Sequence, residues 1–296
     1  MLCGKFLATP LLCVERSLHH LHETARDCLS ARCQQRRLVS AQGQLWWRRV
    51  NLHVGTAGWG NPPAKRPERN SSETHLKFYS RHFDCVEINS SFHRRHRQST
   101  YARWRDEVPE RFRFSIKMPR SITHESRLTR CAAEVAEFYE DAMALQPKLG
   151  VVLVQLPPAL EFDSDTVRAF FASVPRIDRV TVACEPRHPS WFTREADNEL
   201  RDAQVSRVAA DPARCAGADG PGGSTRLAYY RWHGAPHIYY SKYSKTRLAA
   251  FADSVANTDA VESWCIFDNT ARHEAWDDAQ NFMAAAATAG KAPRGL

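Results

Sequence analysis

Several runs of this sequence end on charged or amide side chains directly after a β-type stretch. VTVACEPRH (180–188) closes on Glu185, Arg187 and His188; CVEIN (85–89) carries Glu87 and Asn89; RFSIKM (113–118) carries Lys117; LAYYRWH (227–233) carries Arg231 and His233. VVLVQL (151–156) adds Gln155, and SRVAAD (206–211) ends on Asp211. Such groups suit two tasks. Arginine grips phosphate or carboxylate in a bidentate fork, and lysine adds a point charge. A carboxyl or imidazole tuned by burial and by its neighbours then serves as general acid or base. No GxSxG elbow, HExxH pair or convincing Cys/His dyad is present, so acyl chemistry has little support.

Alternation along each run places these groups together. Side chains on a strand point to opposite faces in turn, and in a barrel every second one enters the lumen. Val182 and Cys184 suit a helix-facing side and turn Glu185 and Arg187 inward. The same parity turns Glu87 and Asn89, Ser115 and Lys117, Gln155, and Arg231 and His233 inward, with Asp211 ending the sixth run. In SWCIFDN (263–269) either Asp268 or Asn269 is the inward residue. His188 and Trp191 belong to the loop above the fifth run. A buried ion network that neutralises itself is the competing explanation, but such networks are costly to desolvate and apolar residues would serve stability as well.

The elements that must hold these groups alternate. Strand candidates are 52–58, 85–89, 113–118, 151–156, 180–185, 206–211, 227–233 and 263–269. Amphipathic candidates lie at 74–82, 99–107, 131–146, 163–173, 244–256 and 273–287. Eight strands with intervening helices predict a single-domain (β/α)8 TIM barrel over 52–290, which keeps its chemistry at the carboxyl ends of its strands. A doubly wound sheet is disfavoured because GTAGWG lacks the spacing of a phosphate-binding fingerprint. AGADGPGGS (216–224) is expected to be a flexible loop.

The chain has 296 residues, 43% hydrophobic and 25% charged, enough to bury a full core. Its formal charge of +8 is uneven: residues 1–50 hold eight Lys/Arg against three acidic residues, so basicity of the whole chain is weak evidence for nucleic-acid binding. Nine cysteines without a CxxC pair indicate a reducing compartment and a cytoplasmic location. FLATPLLCV is too short to cross a bilayer, which needs about 20 apolar residues. Residues 1–51 are read as a poorly ordered extension or as sequence upstream of the true start, with Val50 suiting an alternative start codon.

Taken in order, GTAGW (55–59), VEINSSF (86–92), FSIKMPRSITH (114–124), LGVVLVQLPP (149–158), CEPRHPSWF (184–192), YYRWHG (229–234) and IFDNTARHEAWDDA (266–279) resemble the DUF72, or YecE-like, family over residues 52 to about 287. The resemblance implies a TIM barrel but no established activity. Departures are visible: GNPPAKRPERNSSE lacks the family's aromatic run, NSTFYR stands as NSSFHR, and VEFRH stands as CEPRH, which keeps Glu185, Arg187 and His188. The family has been likened in fold to endonuclease IV and to xylose-isomerase-like barrels, whose sites are metal clusters. Glu87, Glu185, Asp211, His188 and His233 are ligand types, yet Lys117, Arg187 and Arg231 at the same mouth oppose a divalent ion.

The leading expectation is an enzyme acting on a phosphorylated or other anionic compound, a phosphodiester included, by acid–base chemistry at the barrel mouth and without a cofactor. Glu87, Glu185 and His233 are its candidate acid–base groups; Asn89, Lys117, Gln155, Arg187, His188, Asp211, Arg231 and Asn269 would hold the substrate. Alanine at Arg231 is expected to abolish ligand binding without unfolding the protein. One alternative is a metal-dependent nuclease resembling endonuclease IV. The other is a non-catalytic nucleic-acid-binding module, in which HRRHRQ (93–98) would track phosphates through Arg94, Arg95 and Arg97 instead of being a solvated loop. QLPP (155–158) is read as shaping a turn, and His124 as either capping its loop or reaching the mouth. No membrane association is expected.

Overall fold

The computed structural model describes residues 51–288. The expected extension and its alternative start at Val50 lie outside them, apart from Asn51, which opens the first strand. Parallel strands β1 (Asn51–Ala57), β2 (Cys85–Ile88), β3 (Arg113–Lys117), β4 (Leu149–Gln155) and β5 (Thr181–Glu185) follow one another around a wall. The wall continues through β6 (Val205–Arg207), β7 (Ala209–Asp211), β9 (Leu227–Trp232) and β10 (Glu262–Phe267), which returns to β1.

The predicted sixth strand is two pieces. β6 pairs with β5, whereas β7 pairs with β9, and Val208 between them donates its N–H to Cys184 O at 2.8 Å. The sixth strand therefore passes its hydrogen bonds from one neighbour to the other, and this hand-over closes the barrel. β8 (Gly222–Gly223) pairs antiparallel with β6. It lies in the glycine-rich segment expected to be flexible, and that segment is pinned instead. Arg207 donates to Gly217 O and to Asp197 Oδ1, while Gly223 N–H donates to the same Asp197 oxygen. Gly223 sits at φ +63°, and a Cβ there would lie 2.5 Å from the Val205 backbone oxygen, so only glycine lets the flap sit this close.

Helices α1 (His75–Tyr79), α2 (Gln98–Glu107), α3 (Ala132–Ala142), α4 (Ser164–Ser173), α5 (Arg194–Asp202), α6 (Lys245–Ala256) and α7 (Glu274–Thr288) lie between strands. Thr74, Asp163, Thr193 and Ser244 cap α1, α4, α5 and α6 by accepting from the first turn's N–H groups. The sequence reading omits α5, READNELRD, because only Ala196 and Leu200 of its nine residues are buried and the apolar stripe almost vanishes. The main core lies between the strands' outer faces and the helices, with Val86, Ile88, Phe114, Ile116, Val152 and Val154 buried in it. A second cluster fills the lumen, where Cys85, Val151, Leu153, Ala183, Tyr229 and Trp264 meet.

One charged group sits near the amino ends of the strands. His53 on β1 places Nδ1 3.0 Å from Asp84 Oδ2 and Nε2 3.2 Å from Glu262 Oε1, and packs on Trp264. Burial works against its charge, but the hydrogen bonds of the two carboxylates outweigh it and raise the imidazole to about 9. A raised histidine contributes stability in full below about pH 6.5, and the contribution disappears as pH climbs through 9. The urea midpoint is expected to fall across that window, a loss of about 3 kcal/mol. His53→Gln should abolish the pH-dependent fall.

Candidate functional site

At the mouth, the register fixes which side chains share the lumen. Ala57 pairs with Glu87, Glu87 with Ser115, Gln155 with Glu185, and Ile266 with Arg231. Directly paired residues face the same way, so Glu87, Ser115, Lys117, Gln155, Glu185 and Arg231 point inward as expected. Two members of the expected set do not. Asp211 pairs with Trp232, whose ring packs on Phe251, Phe267 and Phe282 in the helix layer. Asp211 thus faces outward, bound to Tyr243 and Arg247. Phe267 pairs with Trp232 and is also outward, so the next residue, Asp268, is the inward one. Asn269 donates instead to Asp278 Oδ2 of α7 at 2.7 Å and to Ser241 O at 2.9 Å. Neither Asp211 nor Asn269 is placed to touch a ligand in the lumen.

Arg231 is the centre of the inward set. Its Nε and Nη2 donate to the two oxygens of Glu87 at 3.0 and 2.8 Å, Nη1 donates to Glu185 Oε2 at 2.6 Å, and Nη2 also reaches Asp268 Oδ2 at 2.9 Å. Only 1% of its surface is exposed. A guanidinium has five N–H donors, and four hydrogen bonds to three carboxylates leave it no fork for a substrate. The expected gripping role of Arg231 therefore gives way to a structural one. Its alanine variant, expected from the sequence to stay folded, would leave three buried carboxylates without their counter-charge and lose stability.

The surrounding groups complete the network. The Tyr229 hydroxyl donates to Glu87 Oε2 at 2.8 Å and lies 2.8 Å from Ser115 Oγ. Gln155 Nε2 donates to Glu185 Oε2 at 2.9 Å, and Arg187 binds Glu185 Oε1 through Nε and Nη2 at 3.1 and 3.0 Å. Burial works against the charge of Glu185, but Arg231 and Arg187 prevail and hold its carboxyl well below the usual range. His233 has Nδ1 3.0 Å from Asp268 Oδ2 and Nε2 3.6 Å from Glu185 Oε1. Its pKa is raised, because those carboxylates outweigh burial, and its buried Nε2 has no hydrogen-bond partner. The three carboxylates converge on a guanidinium and do not frame a gap for a cation. Among the described residues no three His, Cys, Asp or Glu side chains form a metal-ligating group.

Lys117 stands apart from these pairs. It ends β3, is 8% exposed, and among the described residues makes neither a hydrogen bond through Nζ nor an ion pair. Nζ lies over the Phe92 ring, 4.1 Å from its centroid. Burial and the nearby Arg231 lower its pKa to about 8. The backbone at this point is held by Ser91, whose Oγ is within hydrogen-bonding distance of both Lys117 O and Ile88 O. His124, on the π-type turn Ser121–Glu125, packs edge-on against Phe92 at 5.0 Å. Burial, then Lys117 and Arg187, lower its pKa to about 4, so it is neutral near pH 7, and its Nδ1 lies 2.9 Å from Thr123 Oγ1 of its own loop. Asn89 ends β2's exit with its Oδ1 buried and unpartnered.

The loops hold the rest. His188 caps the short turn Pro189–Phe192, Nδ1 accepting from Ser190 N–H, and Trp191 Nε1 donates to Leu160 O. In the 93–98 run Arg95 is tied to Glu137 Oε2 at 2.6 Å and to Asp141, while Arg94 and Arg97 are exposed. Phe92, Arg94 and Arg95 border a cavity of about 410 Å³ whose opposite side carries Glu134, Glu137 and Asp141. The sequence reading missed Asp268 as a settled choice, and missed Tyr229 and the His53 cluster altogether. Tyr229 lies two residues before Arg231 and was available from the same parity.

An eight-position barrel with a polar mouth at the carboxyl ends of its strands is a TIM-barrel-like protein. The family model described as "Protein of unknown function DUF72" matches residues 53–295, and the chain belongs to that family. It is 29% identical over 166 residues to UPF0759 protein YecE of Escherichia coli K12, covering 54% of this chain and 59% of that protein. It is 28% identical over 148 residues to UPF0759 protein YunF of Bacillus subtilis 168, covering 48% and 52%. The chain thus spans little more than half the length of these curated relatives. Among solved structures, a DUF72 family protein from Enterococcus faecalis V583 matches with TM-score 0.67 and 20% identity over 80% of this chain and 95% of that one. One from Thermotoga maritima matches with TM-score 0.67 and 22% identity over 78% and 97%. These likenesses show the fold. Among the described residues no helix is long and apolar enough to cross a membrane.

Proposed function

We propose that this protein is an enzyme acting on a small anionic substrate by acid–base chemistry at the barrel mouth. The observation that carries the reading is Lys117, a buried cation with no carboxylate in ion-pair contact. Below it, Glu87, Glu185 and Asp268 are matched against Arg231, Arg187 and His233. With His233 protonated, Lys117 leaves one positive charge in surplus, and an incoming anion supplies the missing partner. A buried charge gains far more from a counter-ion than a solvated one does.

In this reading Lys117 and Arg187 hold the anion. His233, whose Nε2 lies 3.6 Å from Glu185 Oε1, is the proton donor. Glu87, Glu185, Gln155 and Asp268 position those groups. A phosphate or a carboxylate meets the same charge requirement. The cleft beside His233, bordered by Arg187, Pro212 and Tyr239, has a volume of about 20 Å³, the scale of one water molecule.

Calorimetric titration with inorganic phosphate and with oxalate tests the proposal. Binding is expected in the wild type and is expected to weaken at least about tenfold in Lys117→Met, or about 1.4 kcal/mol. The melting temperature of the variant should not fall, since the substitution removes a desolvated charge. Equal binding by both proteins would refute the assignment.

A further inference from the structure

We infer that Lys117 is a covalent nucleophile, forming an imine with a small 2-oxo acid. The inference rests on the proposed anionic site and names the substrate class that such a site would take. Three features of Lys117 point to it. The side chain springs from the carboxyl end of β3, the end at which a barrel keeps its chemistry. It takes no part in the ion pairs that hold Arg231, so deprotonation breaks no salt bridge. It is desolvated and lies near Arg231, and together these favour the free amine against the opposing pull of Glu87, Glu185 and Asp268. A solvated lysine near pH 7 is almost wholly protonated and cannot attack, whereas one at about 8 is unprotonated in roughly a tenth of molecules.

The charge around Nζ selects the rest of the substrate. A protonated imine keeps the positive charge of the ammonium it replaces, so the surplus charge of the mouth persists through the reaction. A carboxylate next to the reacting carbonyl neutralises it, and Arg187 Nη1 is the guanidinium nitrogen not engaged with Glu185. Phe92 covers Nζ on one side and also borders the 410 Å³ cavity.

The chemistry balances without a redox partner. Nζ adds its lone pair to the carbonyl carbon, the π electrons pass to oxygen, and proton transfer gives a carbinolamine. That hydroxyl leaves as water after gaining a second proton. The net reaction consumes one amine, one carbonyl and one proton and yields one iminium and one water.

The experiment treats the full-length protein with pyruvate and sodium borohydride, which reduces an imine to a stable secondary amine, and maps the product by peptide mass spectrometry. One adduct per chain is expected on Lys117, with a yield that rises through about pH 8. Lys117→Arg, which keeps the charge but not the nucleophile, is expected to lose the adduct. No adduct at Lys117, or one no faster than at exposed lysines, overturns the inference. If oxalate and phosphate then still bind with their dependence on Lys117, the anion site stands and only the covalent step is lost. If they do not bind either, both fall.

Discussion

Arg231→Met is expected to lower the unfolding free energy by about 3–5 kcal/mol, the range observed when one partner of a buried ion pair is removed. The guanidinium is 1% exposed and is bound by Glu87, Glu185 and Asp268. Methionine fills much of the volume but leaves carboxylates that water cannot reach. At least one of them must then take up a proton, so the loss should be greatest at high pH and partly recovered in acid. Urea unfolding at pH 5 and pH 8 measures it. A variant as stable as the wild type at pH 8 would show that the three carboxylates do not depend on this one cation. A double variant, Arg231→Met with Glu87→Gln, should recover part of the stability, because it removes one of the stranded charges.

The other large effect lies one inward position below, on β10. Trp264→Ala is expected to cost about 3–5 kcal/mol, as for deletion of a fully buried indole. The ring is wholly buried in the lumen, stacks on Tyr229 at 6.1 Å and tilts against His53 at 5.0 Å. Gly150 makes the space for it, since a Cβ there would stand 2.7 Å from Trp264 Cζ2. Tyr229 in turn donates to Glu87. The deletion should therefore disturb the carboxylate network as well as the packing, and anion affinity should fall along with the melting temperature. If affinity holds while stability drops, the lumen floor and the mouth are mechanically independent.

The barrel was legible because its wall is written in short runs whose alternate residues are apolar, and two of the runs show how far that rule extends. In CVEI and RFSIK the apolar residues on one parity are unbroken, so Glu87 and Lys117 could be turned inward without ambiguity. It failed where strands end. SRVAAD contains small residues on both parities, and the chain changes neighbour at Val208, so Asp211 was set on the wrong face. IFDN places two polar residues in succession, and only the pairing of Phe267 with Trp232 shows that Asp268 is the inward one. The role of Arg231 was beyond the reach of parity for a different reason. Parity gives direction, whereas the choice between gripping a ligand and neutralising three carboxylates depends on distances between residues up to 144 positions apart.

The divided sixth strand has a mechanical corollary. Its lower half grips β5 and its upper half grips β9, so the circumference winds like a turn of a spiral and the ladder is never doubled at one level. Each level of the wall therefore keeps one strand boundary without ladder hydrogen bonds, between β5 and β7 above and between β6 and β9 below.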